Sequence, residues 1–394
     1  MSSSNSVRLA YIKETTYGET PVAGNFETAR FTSEALSGTP DTTESQQIRT
    51  DRMSSGQIVV GLSVEGSMNF ELAKETPIDD FMESAMYNTW DVLALVSVDL
   101  TYTAATRVLQ RSTGSWSPTI KVGDILTLAG FVNAANNVQV MVTEIVDADE
   151  IKVVGPVGMV NETGSGTSYK RADKLTIGTT KNSFSMEKKF LDLTTKGINY
   201  KGMIANEMNI NVAFGEIITG SFGFLGNSYA TADLAAELIT DGRTVNAAAT
   251  TDSMNGSVDM PFIASSAVGT FGPSDFCIQS IAINLNNNLS AQNCIGEIAP
   301  IDYSAGTAQI GIEMSAYNTD ETWDILAKKL NQEAFAVGFM VKNAGGFYGF
   351  YLPAIQVSFE DPASAGQNQD VVLSMSGQAK VASDGSSALV IYRG

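Results

Sequence analysis

The acidic side chains are the first candidates for chemistry in this chain. Asp147, Asp149 and Glu150 could offer oxygen ligands to calcium, but the run lacks the glycine and distal glutamate of an EF-hand loop. A solvated turn between two strands is the simpler reading. Asp79 and Asp80 could work as a catalytic pair. In the first turn of a predicted helix, however, they are more simply partners of the positive end of its dipole. Gly164-Ser165-Gly166 is not a phosphate loop, because no Lys-Ser/Thr follows it and no helix starts there. The sequon Asn161-Glu162-Thr163 carries little weight without a secretory route. Histidine is absent from all 394 residues, which excludes His triads, His general bases and imidazole metal sites. A serine nucleophile would then need a lysine base, and no Ser-x-x-Lys motif sits at a convincing helix start. Cys277 and Cys294 are too few for a zinc site or a disulfide framework, and read as two small apolar residues in a reducing compartment. The sequence proposes no enzyme, no cofactor and no metal.

One charge feature is stronger. Lys170, Arg171, Lys174, Lys181, Lys188, Lys189, Lys196 and Lys201 place eight of the 24 cations within residues 170–201, against Asp173, Glu187 and Asp192. The cluster is either a solvated basic face or a patch that meets an acidic surface of an identical neighbour. On the second reading Lys170, Arg171, Lys174, Lys181, Lys188 and Lys189, with Arg49 and Arg52, are candidate subunit-interface residues. Reversing Lys188 and Lys189 to Glu should then impair assembly without unfolding the subunit.

Composition sets the frame for these residues. The chain carries 43 acidic and 24 basic residues, a net charge of −19, with 43% hydrophobic residues. That is the profile of a folded chain with room for two to three domains. So acidic a balance argues against wrapping nucleic acid through phosphate contacts. It does not argue against a channel that nucleic acid slides past without sticking. The opening Met1-Ser2-Ser3-Ser4-Asn5-Ser6 lacks the basic start and apolar run of a signal peptide. No apolar run approaches the roughly 18 residues of a membrane span.

The elements that must position any surface are mostly strands. From Ile58 to Leu72, Val60, Leu62, Val64, Met68, Phe70 and Leu72 alternate with Ser63, Glu65, Ser67, Asn69 and Glu71. Period-two alternation means one apolar and one wet sheet face, and the unusual length predicts either a bend or break at Gly61 or Gly66 or membership of an extended sheet. Met208 to Phe224 reads as a hairpin about Gly215-Glu216. Thr76-Pro77-Ile78-Asp79-Asp80 starts a helix with Thr76 as N-cap, and Ile78, Phe81, Met82, Ala85 and Met86 form its apolar stripe. A second helix is expected from about Asp320 to Leu330, with Trp323 in the core, and a weaker third near Thr231 to Leu238. The polar loop from about Glu34 to Gly56 is long for a compact domain and reads as an arm.

Internal repetition is the most informative feature. Val60 to Gly66 stands beside Ile310 to Ala316, each strand followed by a capped amphipathic helix. Phe184 to Leu225 stands beside Phe335 to Ser376. The expected organisation is a first half of residues 1–94 and 181–240, a linker at 241–257 and a second half of 258–394. Residues 95–180 form a small inserted β-barrel or sandwich module, with short strands at Ile125 to Leu128, Val138 to Val146 and Glu150 to Val154.

Four parts of the chain resemble the major tail tube proteins of long-tailed, non-contractile bacteriophages. They are Arg8-Leu9-Ala10-Tyr11-Ile12-Lys13-Glu14-Thr15-Thr16-Tyr17-Gly18-Glu19-Thr20-Pro21; Ile48-Arg49-Thr50-Asp51-Arg52 with Gly66-Ser67-Met68-Asn69-Phe70-Glu71-Leu72; Phe184-Ser185-Met186-Glu187-Lys188-Lys189-Phe190 leading to Asn209 and Gly215-Glu216-Ile217-Ile218-Thr219-Gly220-Ser221-Phe222; and Asn286-Asn287-Asn288-Leu289. Their order over most of the chain outside the insert carries the resemblance. It implies a mainly β, sandwich- or barrel-forming tail tube fold with few short helices, internally duplicated, with the inserted module on the exterior. It also implies a virion protein, made in the host bacterial cytoplasm, that assembles into stacked rings around the tape-measure protein and later conducts viral DNA. Its partners would be itself, the tape-measure protein, tail terminator and distal tail proteins, and DNA in transit without sequence-specific binding. A duplicated chain implies three copies per pseudo-six-fold ring, a single-domain chain six. Ser63, Glu65, Ser67, Asn69, Glu71, Asn209, Asn211, Glu313 and Ser315 are the lumen-facing candidates. The rival readings are a sheath, decoration or pilus-like shell protein without a lumen, and a carbohydrate-binding β-sandwich module.

Overall fold

Two sets of eight strands, laid down in the same order, account for most of the chain. The computed structural model describes residues 2–48, 50–51, 53, 56–256, 278–319, 323, 334–358, 361–362, 366–367, 370–381, 385 and 387–394, and the backbone alone at 261–265, 269–271 and 359. The first set is β1 (Val7–Lys13), β2 (Phe26–Ala29), β3 (Ser37–Glu44), β4 (Gln57–Glu71), β5 (Phe184–Phe190), β6 (Gly197–Ala213), β7 (Thr219–Gly226) and β8 (Ser228–Ala232). The second is β9 (Pro261–Ser265), β10 (Gly269–Phe271), β11 (Ile278–Asn286), β12 (Gln309–Tyr317), β13 (Phe335–Asn343), β14 (Gly346–Phe359), β15 (Val372–Ala379) and β16 (Val390–Arg393). Within the first set β1 pairs with β2 and β5, β3 with β4, β4 with β7, β5 with β6, and β6 with β7 and β8, all antiparallel. Adding eight to each label gives the pairings of the second set, again all antiparallel. Even an irregularity recurs. The β5–β6 ladder slips between Phe184 and Met186, opposite Met203 and Tyr200, and the β13–β14 ladder slips between Phe335 and Val337, opposite Ile355 and Leu352.

One further pairing, β6 with β11, joins the sets edge to edge. The result is a wall of eight antiparallel strands in the order β3–β4–β7–β6–β11–β12–β15–β14. Its apolar face is continuous: Met68, Phe222, Met208, Leu285 and Ile310 lie in one row, and all are buried. β4 is not broken at either glycine. Gly66 instead allows close approach, since a Cβ there would lie 2.3 Å from the Ala35 carbonyl oxygen.

Helix α1 (Thr76–Met86) packs on the apolar face. Phe81 sits among Tyr11, Phe184, Phe222 and Phe224, with ring centroids 4.8 to 5.6 Å away. Ile78, Met82, Ala85 and Met86 are also fully buried, as the stripe requires. The N-cap is Glu75 rather than Thr76, and it makes no side-chain cap. Its carboxylate is taken by Arg30 at 2.9 Å. Burial pushes the Glu75 and Asp80 carboxyls above the usual range, opposed by Arg30 and Lys13 respectively. Asp79 is more than a dipole partner. It accepts from the Tyr348 hydroxyl at 2.7 Å and meets Lys74 and Arg393 at 2.7 and 2.9 Å.

Three other expectations change. The segment 231–238 is the end of β8 and a single 3-10 turn, Ala235–Glu237, because Glu237 caps the Asp233 and Leu234 amides and Leu234 stays exposed. Residues 37–44 of the polar loop are strand β3. Almost all of its residues are exposed, so no apolar alternation marks it. Most of the helix expected at 320–330 lies outside the described residues, and Trp323 is 57% exposed rather than core.

Residues 96–171 build a separate eight-stranded sheet over their own core, centred on Trp116, Leu100, Leu109, Leu126 and Ile151. Strand 173–176 already belongs to the main body, pairing with β16. The inserted sheet rests on a second layer of the body, made here by β13, the start of β14 and β16. Along β14, Tyr348, Phe350 and Leu352 face the main core, while Phe347 and Tyr351 face Ile125, Met141 and Val154 of the insert. The order of layers is therefore polar wall face, apolar core, second layer, insert.

Candidate functional site

The opposite face of the wall brings together all nine polar candidates read from the sequence. One row runs Asn69, Ser221, Asn209, Asn284, Gly311, Gln378 and Gln356 across seven strands. The next runs Glu71, Thr219, Asn211, Ala282, Glu313, Ser376 and Ser358. Ser67 and Glu207 fall in a third row, and Ser315 pairs with Ser280 and Ser374. Ser63 and Glu65 continue the same face on β4 beside Thr39 and Ser37 of β3. Ser221, Asn284, Gln378, Gln356 and Ser358 were missed, although the buried alternation of Ile281, Ile283 and Leu285 marks Asn284 as facing the other way.

Side chains on this face hydrogen bond to one another. Asn209 donates to Asn284, Asn286 to Glu207 at 2.9 Å, Asn69 to Ser33 at 2.7 Å and Ser315 to Gln279 at 3.1 Å. Such cross-strand pairs order the face without adding charge. The charge that is present has one sign. The wall segments 37–44, 57–71, 203–213, 219–226, 278–286, 309–317, 355–359 and 372–379 contain Asp41, Glu44, Glu65, Glu71, Glu207 and Glu313 and not a single Lys or Arg. A surface of this kind repels polyanions and offers phosphates no partner.

The basic cluster has a different fate. Arg171 is buried and ion-paired with Asp91 at 2.7 Å, and Lys174 meets the buried Asp124 at 3.0 Å. Lys188 pairs with Glu34, Lys181 with Asp302, and Lys170 lies 3.7 Å from Asp173. These cations are therefore matched within the chain rather than presented together as a patch. Lys189 has no ion-pair partner among the described residues. Arg49 and Arg52 lie outside the described residues. Lys188→Glu would set two carboxylates against each other where Glu34 is nearly buried, so it is expected to lower subunit stability by about 1–3 kcal/mol. Chemical denaturation of the dispersed chain reads this directly. An unchanged midpoint would show that the ion pair is not formed, and would return Lys188 to the set of free surface cations.

The remaining candidates for chemistry are structural. Asp147 accepts from the Asp149 and Glu150 amides at 3.1 and 3.0 Å, closing a turn. Cys294 is exposed, not a core residue, and Cys277 lies outside the described residues. Among the described residues no group of three or more Cys, Asp or Glu side chains could hold a metal ion. No helix among them is long and apolar enough to cross a membrane.

The described residues thus present one broad antiparallel wall with a wet anionic face and a helix-covered apolar face. Comparison with protein families gives the class. A family described as phage tail tube protein matches residues 4–379, and the chain belongs to that family. A tail tube protein is a structural component of the virion tail. No curated protein matches the chain.

Proposed function

We propose that copies of this chain close into rings that stack into the hollow tube of a long, non-contractile phage tail, with the polar wall face lining the lumen. The observation that carries this reading is the face itself: rows of Asn, Ser, Gln and Glu across two joined sets of strands, with no cation in the wall segments. Ser63, Glu65, Ser67, Asn69, Glu71, Asn209, Asn211, Glu313 and Ser315 would face the tape-measure protein before infection and viral DNA during ejection. Phosphates would meet like charge and neutral amides, so DNA would slide rather than bind. Closure also removes the open edges of the wall, which are otherwise a liability.

The identical pairing of β1–β8 and β9–β16 supports two tube-forming halves, residues 1–94 with 181–240 and residues 258–394. Each chain then contributes two units, and three chains make a pseudo-six-fold ring. The insert, 95–180, lies on the far side of the body from the polar face and would decorate the exterior. Tail terminator and distal tail proteins would cap such a tube, and the host bacterial cytoplasm is where it would be made.

Electron microscopy of the concentrated protein tests the reading. Hollow tubes or rings, viewed end-on with three outer knobs around a six-fold wall, are the expected result. Monomers alone, or solid particles without a channel, would overturn it in favour of a shell or decoration protein.

A further inference from the structure

Glu313 stands apart from other acids of the polar face. Glu71, Glu207 and Asp41 accept from Ser253, Asn286 and Ser63 at 2.7, 2.9 and 3.0 Å. Glu313 is exposed and makes no hydrogen bond or ion pair among the described residues. Its four nearest neighbours on the face are small: Gly311 and Ser315 along β12, Ala282 opposite on β11 and Ser376 opposite on β15. This low floor leaves a hollow on each side of the carboxylate, of about 620 and 480 Å³. Glu313, Ser358 and Ser376 line both hollows, Asn211 borders one, and Asn284 and Gln356 border the other. A carboxylate without a partner thus stands where two empty hollows meet.

The arrangement occurs once per chain. The shared slip makes Met203 and Ile355 equivalent, and from there Ala205 corresponds to Val357. β6 carries one extra residue at its own slip, so Glu207, opposite Gly223, corresponds to Ser358, opposite Ser376. Gly223 then faces Ser67 where Ser376 faces Glu313. The first half therefore has a serine in place of Glu313, and its own carboxylate, Glu207, is already engaged by Asn286.

We propose that the double hollow around Glu313 seats a lysine or arginine side chain of the peptide guest that fills the lumen before DNA enters. This rests on the lumen reading above. A long cationic side chain can lie over the small residues and reach the carboxylate, while its backbone meets the bordering amides and hydroxyls. A phosphate at the same place meets like charge, and the wall segments offer it no cation. One acid therefore attracts the guest and turns DNA away. A single exposed ion pair is weak, so the guest is held by many seats repeated along the tube, and each lets go separately as the guest leaves.

The probe is a short labelled peptide of alternating Lys and Ser, present while tubes assemble and measured in the sedimented tubes after washing. Unmodified tubes should retain it and should not retain the matching Glu and Ser peptide. Glu313→Gln should lower retention about threefold or more. Ser376→Phe, which fills the hollows and keeps the carboxylate, should lower it as well. Glu144→Gln on the insert removes the same charge elsewhere and should leave retention unchanged. In unmodified tubes, carbodiimide coupling should join the peptide's lysines to Glu313, as mapped by mass spectrometry. Tubes that retain equal peptide with and without Glu313→Gln, or that lose it equally with Glu144→Gln, would overturn the seat and leave the ring reading standing. Coupling that spares Glu313 would do the same. An unmodified chain that forms neither rings nor tubes would defeat the ring reading itself.

Discussion

Tubes carrying Glu207→Lys and Glu313→Lys are expected to assemble normally and to capture DNA that unmodified tubes let go. Each half of the chain supplies one of these carboxylates, and both lie exposed on the polar face. Glu207 is held by Asn286 at 2.9 Å, and an exposed substitution of this kind shifts stability by about 0.5 kcal/mol or less. The electrostatic consequence is much larger. Lysines facing a narrow channel recruit phosphates and release their counterions. The affinity for a short duplex should then fall with salt at a log–log slope of about −0.9 per phosphate engaged. Co-sedimentation of duplex DNA with tubes at low and moderate salt measures this. Reversed tubes that bind no more DNA than unmodified ones would show that the polar face does not line the channel.

Asp79→Ala should be the most destabilising change in the body of the subunit. The carboxylate is 7% exposed and gathers Tyr348 from β14, Arg393 from β16 and Lys74 from the approach to α1. One side chain therefore ties the helix to β14 and to β16, the last strand of the second set. Burial, and next the Asp79 charge, holds the Tyr348 hydroxyl well above its usual titration range, so it remains a donor at any working pH. Removing the acceptor leaves that hydroxyl and two cations short of partners in a desolvated place. The expected loss is about 3–5 kcal/mol, the usual penalty for breaking a buried ionic group from one side. Asp79→Asn keeps the shape and one acceptor oxygen and should cost less. Denaturant midpoints of the dispersed chain decide the matter. A loss below about 1 kcal/mol for the alanine variant would mean the carboxylate is not the hub its contacts describe.

The structure also shows why some readings of the sequence transferred and others did not. Alternation over 57–71 marked a two-faced strand because burial on one side is written in every second residue. The same property hid β3, which is wet on both faces and carries no alternation to read. Periodicity likewise left the alignment of the halves loose. A period-two pattern matches itself at any even shift. Val60 was set beside Ile310, whereas the ladders put Val64 there, four residues away, because they carry the match from Ser67 to Glu313.

What the sequence determined by itself is the material of this protein. It sets strands with one wet face, an amphipathic helix, an acidic balance without histidine, and a repeated order of elements. Those features are local, so neighbouring residues are enough to encode them. Partnership was decided only by the tertiary structure. Lys174, Lys181 and Lys188 look like a common patch along the chain, yet each is claimed by a carboxylate 50 or more residues distant. Asp79 looks like a helix-start residue until Tyr348 and Arg393 arrive from the far end of the chain. A continuous anionic face arises only when β6 and β11 meet, because the pairing of distant strands depends on the edges the fold leaves open, and no local pattern records them.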